Sequence, residues 1–428
     1  MSAGPVLITG LGALTPIGAD VPTFAAALRE GQCGIQVVAD PDAPDQRRLL
    51  APLPDPGLAG MLDGVEGLDP VQHKRFLRIA RRSPFPVRAA LTAAAQAWQD
   101  AELAKAPAPR DRIGIVVGGH NLTGHYAFEL YPTYVRQPAH VPPRFALQAQ
   151  DTDHVGTISE ALGIEGEGCT VGASSASGNA ALIHAARLVQ TGAVDVCLAV
   201  GALARLGPLE VRSLANLGVS ALVDAACRPF DRRRSGFVPG EAAACVVVES
   251  QDSVVRRGIP TDAAVELAGA AMVLAGTSLS DPSLASEVRA MAGALARAGI
   301  GAERIEYVNA HATGTPAGDD VEVDALIEVF GAGAGAGDGD GATAAQPWVN
   351  ATKALIGHCL SSAGVVEAVA AVVQMRGGFI HPNPALAEPV TAGLRLVGTS
   401  AQPAAVVYAL SNSFGFGGFN SSVVLRRV

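Results

Sequence analysis

The chain has 428 residues, of which 49% are hydrophobic and 17% are charged, and its formal net charge is −9 at pH 7. A composition this apolar excludes an intrinsically disordered chain and favours a compact enzyme with a large core. The negative charge, together with the lack of an arginine-rich tract or zinc-finger spacing, excludes nucleic acid as the expected partner, because binding phosphates requires clustered Lys and Arg.

The N-terminus and the apolar segments give no sign of membrane targeting. The opening MSAGPVLITGLG has no basic region before its apolar residues, so we expect no signal peptide. No uninterrupted apolar run reaches the roughly 20 residues that span a bilayer. The cysteines stand singly, and we expect them to be buried and reduced; they are Cys33, Cys169, Cys197, Cys227, Cys245 and Cys359. The sequence predicts a cytoplasmic protein with no membrane partner.

Short apolar runs alternate with alanine-rich segments along the chain. The runs are typical of strands buried on both faces; they are VLITGLGAL (6–14), IGIVVGG (113–119), VDVCLAVGA (194–202), ACVVVES (244–250) and AVVYALSNS (405–413). The segments between them predict helices, among them RAALTAAAQAWQDAEL (88–103), SGNAALIHAARLVQTG (177–192) and SEVRAMAGALARAG (286–299). This alternation predicts an α/β fold with mostly parallel sheets.

One pattern occurs twice. A strand, a turn of small residues and a helix follow each other at residues 170–190 and again at residues 350–374, which indicates two pseudo-duplicated halves. Between them, the glycine-rich stretch at residues 331–347 predicts a flexible loop before a strand at Trp348 and Val349.

The first of these turns is the candidate reactive centre. The segment TVGASSASGNAALIHAARL, residues 170–188, leads directly into a helix, whose unpaired N-terminal N–H groups favour developing negative charge. The turn offers Ser174, Ser175 and Ser177, with Cys169 just upstream. From the residues alone, the choice among these side chains stays open.

Six ordered motifs resemble those of the beta-ketoacyl synthases, the condensing enzymes of the thiolase superfamily. They are TGLGALTPIG (9–18), the turn at Ser175, RPFDRRRSGFVPGE (228–241), NAHATGTPAGDDVEVDAL (309–326), NATKALIGHCLSSAG (350–364) and SNSFGFGGFNSS (411–422). The resemblance covers essentially the whole chain. It implies a thiolase-like five-layered αβαβα fold with two pseudo-duplicated halves, residues 1–255 and 256–428.

The resemblance also implies that the nucleophile is missing. In the family this turn carries a cysteine, and the stretch from His184 to Arg187 together with Ser177-Gly178 puts that position at Ser175. Cys169 comes six residues too early to replace it, and Ser174 is the neighbour most easily confused with Ser175. A serine hydroxyl needs an adjacent general base to attack a thioester, so we expect self-acylation to be crippled.

The remaining catalytic groups match the family. His311 and His358 match its two histidines, and Lys353 lies five residues before the second. Asp319 and Glu322 match an acidic pair, of which the family's glutamate forms a salt bridge with the lysine.

The resemblance also implies the residues that bind substrate. Phe414 matches the gate residue, and Thr313, Thr315 and Phe230 would bind substrate. Phe237 and Phe230 would lie near the malonyl pocket, although core packing is an equal reading of both. Phe419 stands where many members of the family have the threonine of GFGGTN. It either packs in the core or narrows the acyl tunnel.

These residues predict a decarboxylase. Loss of CO2 from a malonyl thioester leaves an enolate, which two imidazole N–H donors would stabilise like an oxyanion hole. The pattern resembles the ketosynthase-like malonyl-acyl carrier protein decarboxylases of polyketide β-branching cassettes, whose acetyl product is used by a hydroxymethylglutaryl-CoA-synthase-like enzyme. Two alternatives stay open: an acyltransferase or condensing enzyme that uses Ser175 as the nucleophile, and a non-catalytic chain-length-type partner.

The same resemblance implies the partners. The substrate would be carried on the phosphopantetheine arm of an acyl carrier protein, with no metal and no other cofactor, and the chain would form a homodimer. The basic run HKRFLRIARR at residues 73–82 is either a solvated helix face or a docking surface for that acidic carrier.

Overall fold

The computed structural model describes residues 4–40, 43–223, 226–261, 264–331 and 346–428. The strands are β1 (Val6–Leu14), β2 (Gln36–Asp40), β3 (Ala43–Leu50), β4 (Ile113–Gly118), β5 (Gly168–Val171), β6 (Val196–Gly201), β7 (Ala243–Ser250), β8 (Val265–Leu274), β9 (Tyr307–Asn309), β10 (Trp348–Asn350), β11 (Phe379–Ile380), β12 (Arg395–Leu396), β13 (Gln402–Pro403), β14 (Tyr408–Gly415) and β15 (Phe419–Arg427).

The α-helices are α1 (Val21–Glu30), α2 (Gly57–Asp63), α3 (Pro70–Ala80), α4 (Phe85–Asp100), α5 (Gly124–Arg136), α6 (Phe145–Gln148), α7 (Thr152–Leu162), α8 (Ser177–Gln190), α9 (Pro208–Asn216), α10 (Gln251–Arg257), α11 (Leu284–Ala298), α12 (Pro316–Phe330), α13 (Lys353–Ile356) and α14 (Ala363–Gly377). In the described part of the chain, none of them combines the length and the apolar character that crossing a bilayer would need.

Two sheets of identical topology form the framework. The hydrogen-bonded order is β12-β10-β9-β14-β15-β8-β1-β7-β6-β4-β5, and β1 meets β8 only where Leu7 and Ile8 pair with Glu266 and Val265. Without the short edge strand β12, each sheet has five strands, and we number them 1 to 5 in chain order. The first sheet contains β1, β4, β5, β6 and β7, and the second contains β8, β9, β10, β14 and β15. From the outer edge to the centre, both sheets have the order 3-2-4-5-1. The predicted pseudo-duplication is confirmed by this repeated order.

The sheets are mixed rather than mostly parallel, which corrects the prediction from the apolar runs. In each sheet two pairings are parallel, such as β4 with β5 and with β6, and two are antiparallel, such as β6 with β7 and β7 with β1. The prediction was wrong because helices cover both faces of these sheets, so that antiparallel strands here are as uniformly apolar as parallel ones.

Helices and sheets alternate in five layers, as the resemblance implied. Helix α4 packs on β1 and β7 outside the first sheet, and α11 packs on β8 and β15 outside the second. Between the sheets lie α8 and α14, which contact each other and both sheets. Most residues of the central hydrophobic core come from these two helices and the inner faces of the sheets.

Small residues allow the two central helices to touch. A Cβ atom at Gly178 would lie 2.7 Å from the backbone nitrogen of Gly364, and one at Gly364 would lie 2.4 Å from that of Asn179. Backbone contact of this kind is possible only where side chains are absent. It brings the N-terminal ends of α8 and α14 together, and with them the turn at Ser175 and the loop that carries His358.

Two predictions about chain organisation need comment. Residues 332–345 of the predicted glycine-rich loop lie outside the described residues, whereas the strand predicted at Trp348 is β10. The predicted division after residue 255 would cut α10, so we propose that the halves join in the connection between α10 and β8.

Candidate active site

A cavity of about 620 Å³ opens where the two halves meet. Residues from both halves line it, and they include most of the predicted site residues: Ser175, His311, Thr313, Thr315, Glu322, His358 and Phe414. The structure therefore brings together side chains that are separated by more than 200 positions in the sequence.

The turn before α8 presents Ser175 to this cavity. Ser174 adopts a left-handed backbone conformation with φ of 52°, which non-glycine residues rarely do outside tight turns. The Ser177 hydroxyl fixes the turn from behind, since it accepts a hydrogen bond from the Ala173 N–H at 2.8 Å and donates one to the Ser174 carbonyl at 2.7 Å. Ser177 is fully buried, so of the three candidate serines it is a structural one.

Strand β14 supports the turn on its other side. A Cβ atom at Gly415 would lie 2.8 Å from the Ala173 carbonyl oxygen and 3.1 Å from the Ser175 nitrogen. Phe419 packs against Ala173, Ala176 and Ala180. Phe419 is absent from the cavity lining, so the structure favours its packing role over a narrowing of the acyl tunnel.

His358 makes the hydrogen bond that defines the site. Its Nε2 lies 2.8 Å from the Ser175 Oγ, and its Nδ1 lies 3.3 Å from the Leu360 backbone nitrogen. A backbone N–H can only donate, so Nδ1 is the acceptor and the proton of the neutral ring is on Nε2. His358 therefore donates to Ser175 and cannot act as the base that removes its proton.

Backbone strain supports this arrangement. Leu360 has a φ of 50°, in the left-handed region that a branched side chain disfavours, and this places its N–H against the His358 ring. On the other side, the His358 backbone N–H donates to the Val238 carbonyl at 2.7 Å. The loop is thus held at both sides of the imidazole.

His311 stands beside His358 in the cavity. The two rings meet edge to face with centroids 5.4 Å apart, and Phe414 lies 5.6 Å from His311. Phe237 likewise contacts His358, with centroids 5.5 Å apart. The imidazoles and the two phenyl rings form one wall, which limits how either histidine can rotate.

The Lys353 partner differs from the prediction. Lys353 is fully buried and its Nζ pairs with Glu367 of α14, not with Glu322. Glu322 instead accepts hydrogen bonds from the backbone N–H groups of His311 and Ala312, at 2.8 and 2.6 Å. Those bonds occupy both carboxylate oxygens of Glu322, which therefore holds the backbone at His311 in place. Lys353 pairs instead with Glu367, on another helix.

Burial keeps both histidines neutral. Desolvation, reinforced by the positive charge of Lys353, lowers the pKa of His311 and of His358 well below the usual 6.5. His358 also lowers the pKa of His311. At neutral pH the two rings are therefore uncharged N–H donors.

Asp319 organises the loop of the two threonines. It accepts the N–H groups of Gly314 at 3.0 Å and Phe230 at 2.8 Å, and burial raises its pKa to about 7. Thr313 and Thr315 line the cavity with their hydroxyls 3.0 Å apart.

Phe230 is fully buried in the outer core of the second half and does not line the cavity. Core packing, the other reading of this residue, is what the structure shows.

No cysteine replaces the missing nucleophile, since none of the six lines the cavity. Cys169 lies in β5 opposite Val116, and burial raises the pKa of its thiol, which disfavours a reactive thiolate. All six are free, as expected, but Cys33 is exposed and Cys169 only half-buried, contrary to the expectation of uniform burial. Cys33 is exposed because it lies in the polar turn after α1.

Sequence reasoning missed three cavity or near-cavity residues. Glu367 could have been found, because it is the single charged residue in the apolar stretch of residues 363–375 and a buried acid needs a partner. His120 lines the cavity; the segment HNLTGHY at residues 120–126 is a candidate for the pocket wall, but no motif marks His120 as a site residue. Glu287 also lines the cavity, from the first turn of α11.

Metal ligands do not cluster in the described part of the chain, where no group of three or more His, Cys, Asp or Glu is placed to hold an ion. The site is instead a set of hydrogen-bond donors around a serine. Such a set can stabilise negative charge on a carbonyl oxygen.

Comparison with known proteins agrees with this geometry. The profile of the beta-ketoacyl synthase N-terminal domain matches residues 3–253, and that of the C-terminal domain matches residues 264–387. The chain is 34% identical to the polyketide biosynthesis malonyl-ACP decarboxylase PksF of Bacillus subtilis, over 99% of this chain and 96% of the relative. It is 30% identical to 3-oxoacyl-acyl-carrier-protein synthase 2 of Staphylococcus aureus, over 99% and 98% respectively.

Solved structures show the same fold. The ishigamide ketosynthase/chain length factor superposes with a TM-score of 0.84 at 25% identity and covers 100% of both chains. A beta-ketoacyl synthase from Burkholderia phymatum superposes with a TM-score of 0.81 at 26% identity, covering 99% of this chain and 100% of its own. The thiolase-like fold is confirmed by these neighbours.

The exposure of the turn can be tested by restoring a thiol. In Ser175→Cys we expect iodoacetamide to alkylate residue 175 and the exposed Cys33 before the buried cysteines, because position 175 faces the cavity at the N-terminal end of α8. Peptide mass spectrometry would locate the label. The fully buried Cys197 and Cys245 serve as internal controls in the same protein; labelling of these two as fast as residue 175 would contradict the described geometry.

Proposed function

Because the chain belongs to the beta-ketoacyl synthase family but has serine where the family has its cysteine, we propose that it decarboxylates a malonyl group carried on an acyl carrier protein. The product is the acetyl-loaded carrier. The observation that carries this proposal is the hydrogen bond from His358 Nε2–H to Ser175 Oγ, since it leaves the serine without a base and the imidazole as a donor.

Decarboxylation uses the groups that remain. When the bond between Cα and the carboxylate breaks, its electrons move toward the thioester oxygen, and N–H donors that face this oxygen lower the barrier. His311 and His358 supply such donors, and their lowered pKa keeps them neutral. Ser175 accepts from His358, which leaves its own O–H free to donate toward a substrate. Thr313 and Thr315 line the same cavity, and we propose that their hydroxyls contact the phosphopantetheine arm.

The two alternatives are less well supported. A Ser175 nucleophile would need an acceptor at His358 Nε2, whereas the Leu360 N–H holds the proton on that nitrogen. A chain-length-type partner that contributes only shape would not need His311, Lys353 and His358, all of which are retained. The curated relative named as a malonyl-ACP decarboxylase supports the proposed reaction. The link to a polyketide β-branching cassette and the cytoplasmic location stay predictions.

The reaction can be tested with malonyl-loaded carrier protein and intact-protein mass spectrometry. We expect wild type to remove CO2 from the carrier, His311→Ala and His358→Ala to lose about 10²- to 10³-fold in rate, and Ser175→Ala about tenfold, the worth of one neutral hydrogen bond. The matched control is His140→Ala, at an exposed histidine that does not line the cavity. A stable acyl group on Ser175, or unchanged rates in both histidine variants, would contradict the proposal.

We further propose that the carrier docks on helix α3. Its inner side buries Phe76 and Ile79, whereas Lys74 and Arg78 are exposed, as are Arg81 and Arg82 just beyond its end. A local cluster of positive charge can attract an acidic carrier although the net charge of the chain is negative.

This surface can be tested by charge reversal. We expect Arg78→Glu with Arg81→Glu to lower kcat/KM for the malonyl carrier by roughly 10-fold at low salt through slower association, and the deficit to shrink as salt screens the charges. The matched control reverses Arg297 and Arg304 on the outer surface of the second half. Equal losses in both double variants would show that the effect is not specific to α3.

The predicted homodimer has a candidate interface at the edge of the first sheet. Glu167 and Val171 accept hydrogen bonds from the β4 side, so the alternate residues Gly168 and Thr170 face outward. Nearby along the chain, α5 buries none of its residues and exposes Phe128, Tyr131 and Tyr134. An unpaired edge together with an apolar helix face is a surface that a second copy would cover.

Proline at the strand edge tests this interface. We expect Thr170→Pro to convert a dimer into a monomer in sedimentation velocity, because it removes an outward N–H without breaking the β4–β5 pairing. Thr170→Val keeps that N–H and should stay dimeric. A wild-type chain that sediments as a monomer would refute the dimer.

A further inference from the structure

One buried acid in the cavity wall has no role in the proposed reaction so far. Glu287, in the first turn of α11, lines the cavity yet is only 1% exposed. Its Oε2 has no hydrogen-bond partner among the described residues. A buried carboxylate without partners is costly, so this group needs either a proton or a ligand.

The surroundings of Glu287 decide its protonation state. One helical turn further along α11, the Met291 sulfur lies 3.4 Å from the Asn412 Nδ2, which also donates to Glu322 at 3.2 Å. Burial raises the pKa of Glu322 as well, but three N–H donors, from His311, Ala312 and Asn412, oppose that shift and favour its ionised form over that of Glu287.

Two neighbouring acids in a buried site share one proton, and here it belongs to Glu287. Desolvation, and next the negative charge of Glu322, raise the pKa of Glu287 to about 10. Among the described residues, Glu322 is the group whose charge raises the pKa of Glu287, whereas the charge of Lys353 acts on Glu322.

The proposed reaction requires a proton at a later step. Once CO2 has left, the enolate must be protonated at Cα to give the acetyl group. The neutral imidazoles of His311 and His358 hold the enolate oxygen and are very weak acids, as is the Ser175 hydroxyl. Among the other acids of the cavity lining, Asp281 is exposed and Glu210 accepts the Gly207 N–H.

We propose that Glu287 is the carboxylic acid that delivers this proton to the enolate carbon, an inference that rests on the proposed decarboxylation. The bond from Cα to the carboxylate breaks, CO2 leaves, and the electron pair is held as the enolate. The Glu287 O–H bond then breaks as the Cα–H bond forms. The resulting Glu287 carboxylate recovers a proton from water that enters the cavity when the product leaves.

The experiment follows the stereochemistry of the new methyl group. Malonyl carrier protein bearing deuterium and tritium at Cα in a defined configuration, prepared immediately before use, reacts in ordinary water with wild type and with Glu287→Gln. A fixed acid delivers the proton to one face, so wild type should give a methyl group of one configuration. Glu287→Gln keeps the shape but cannot deliver, and we expect a racemic methyl group and turnover at least tenfold slower, about the lower end of what a general acid contributes.

Control variants and outcomes separate this inference from the proposed function. Glu328→Gln makes the same carboxyl-to-amide exchange at an exposed residue of α12 outside the cavity lining and should behave like wild type. If wild type releases no CO2, the proposed function fails. If wild type releases CO2 but Glu287→Gln gives one methyl configuration, at any rate, Glu287 is not the donor. A racemic methyl group from wild type also overturns the inference.

A second measurement does not depend on turnover. Infrared difference spectra of wild type at neutral pH should show the carbonyl band of a protonated carboxyl group that Glu287→Gln lacks. A folded native state that binds this proton when the unfolded chain does not should lose stability as pH rises above about 4.5, and Glu287→Gln should flatten that slope. The absence of the band in wild type would overturn the inference.

Discussion

The direction of one hydrogen bond decides what this site can do. The Leu360 N–H donates to His358 Nδ1, which leaves Nε2–H to donate to the Ser175 oxygen. With cysteine at that position, a thiolate would accept the same bond and be stabilised by it, so that more of the reactive anion is present. A hydroxyl cannot ionise near neutral pH, so the same donor now stabilises an oxygen that has no negative charge to use. The resemblance implies that the family's cysteine takes up the acyl group and that its histidines stabilise the enolate. The exchange of sulfur for oxygen removes the group needed for the first step and preserves the N–H donors needed for the second.

That hydrogen bond is kept in place by a charge deeper in the protein. Lys353 and Glu367 form a buried ion pair whose ammonium group disfavours protonation of both imidazoles. A buried pair of this kind contributes little net stability, because the cost of desolvating two charges offsets their attraction. What the pair does change is the pKa of both histidines, which it lowers in addition to the larger effect of desolvation.

Much of this site could be predicted from the sequence, and the parts that could not share a physical cause. The resemblance of the ordered motifs to those of the family located Ser175, His311, His358 and Thr313, all of which line the cavity. The spacing could not show that Lys353 pairs with Glu367 on α14 instead of Glu322. Partner choice depends on how the helices that carry Lys353, Glu367 and Glu322 pack together, and a linear pattern carries no record of that packing. Strand direction was missed for a similar reason, since burial on both faces hides it.

The pKa shifts of the site point the same way. Burial raises the pKa of Glu287, Asp319 and Glu367 and lowers that of both histidines, so the surroundings disfavour charge of either sign. A malonyl carboxylate that enters such a cavity loses hydration, whereas the CO2 it becomes is neutral and the remaining charge moves to an oxygen that meets fixed N–H donors. Under the proposed function, the burial that shifts these pKa values is therefore also the property that favours loss of the substrate carboxylate.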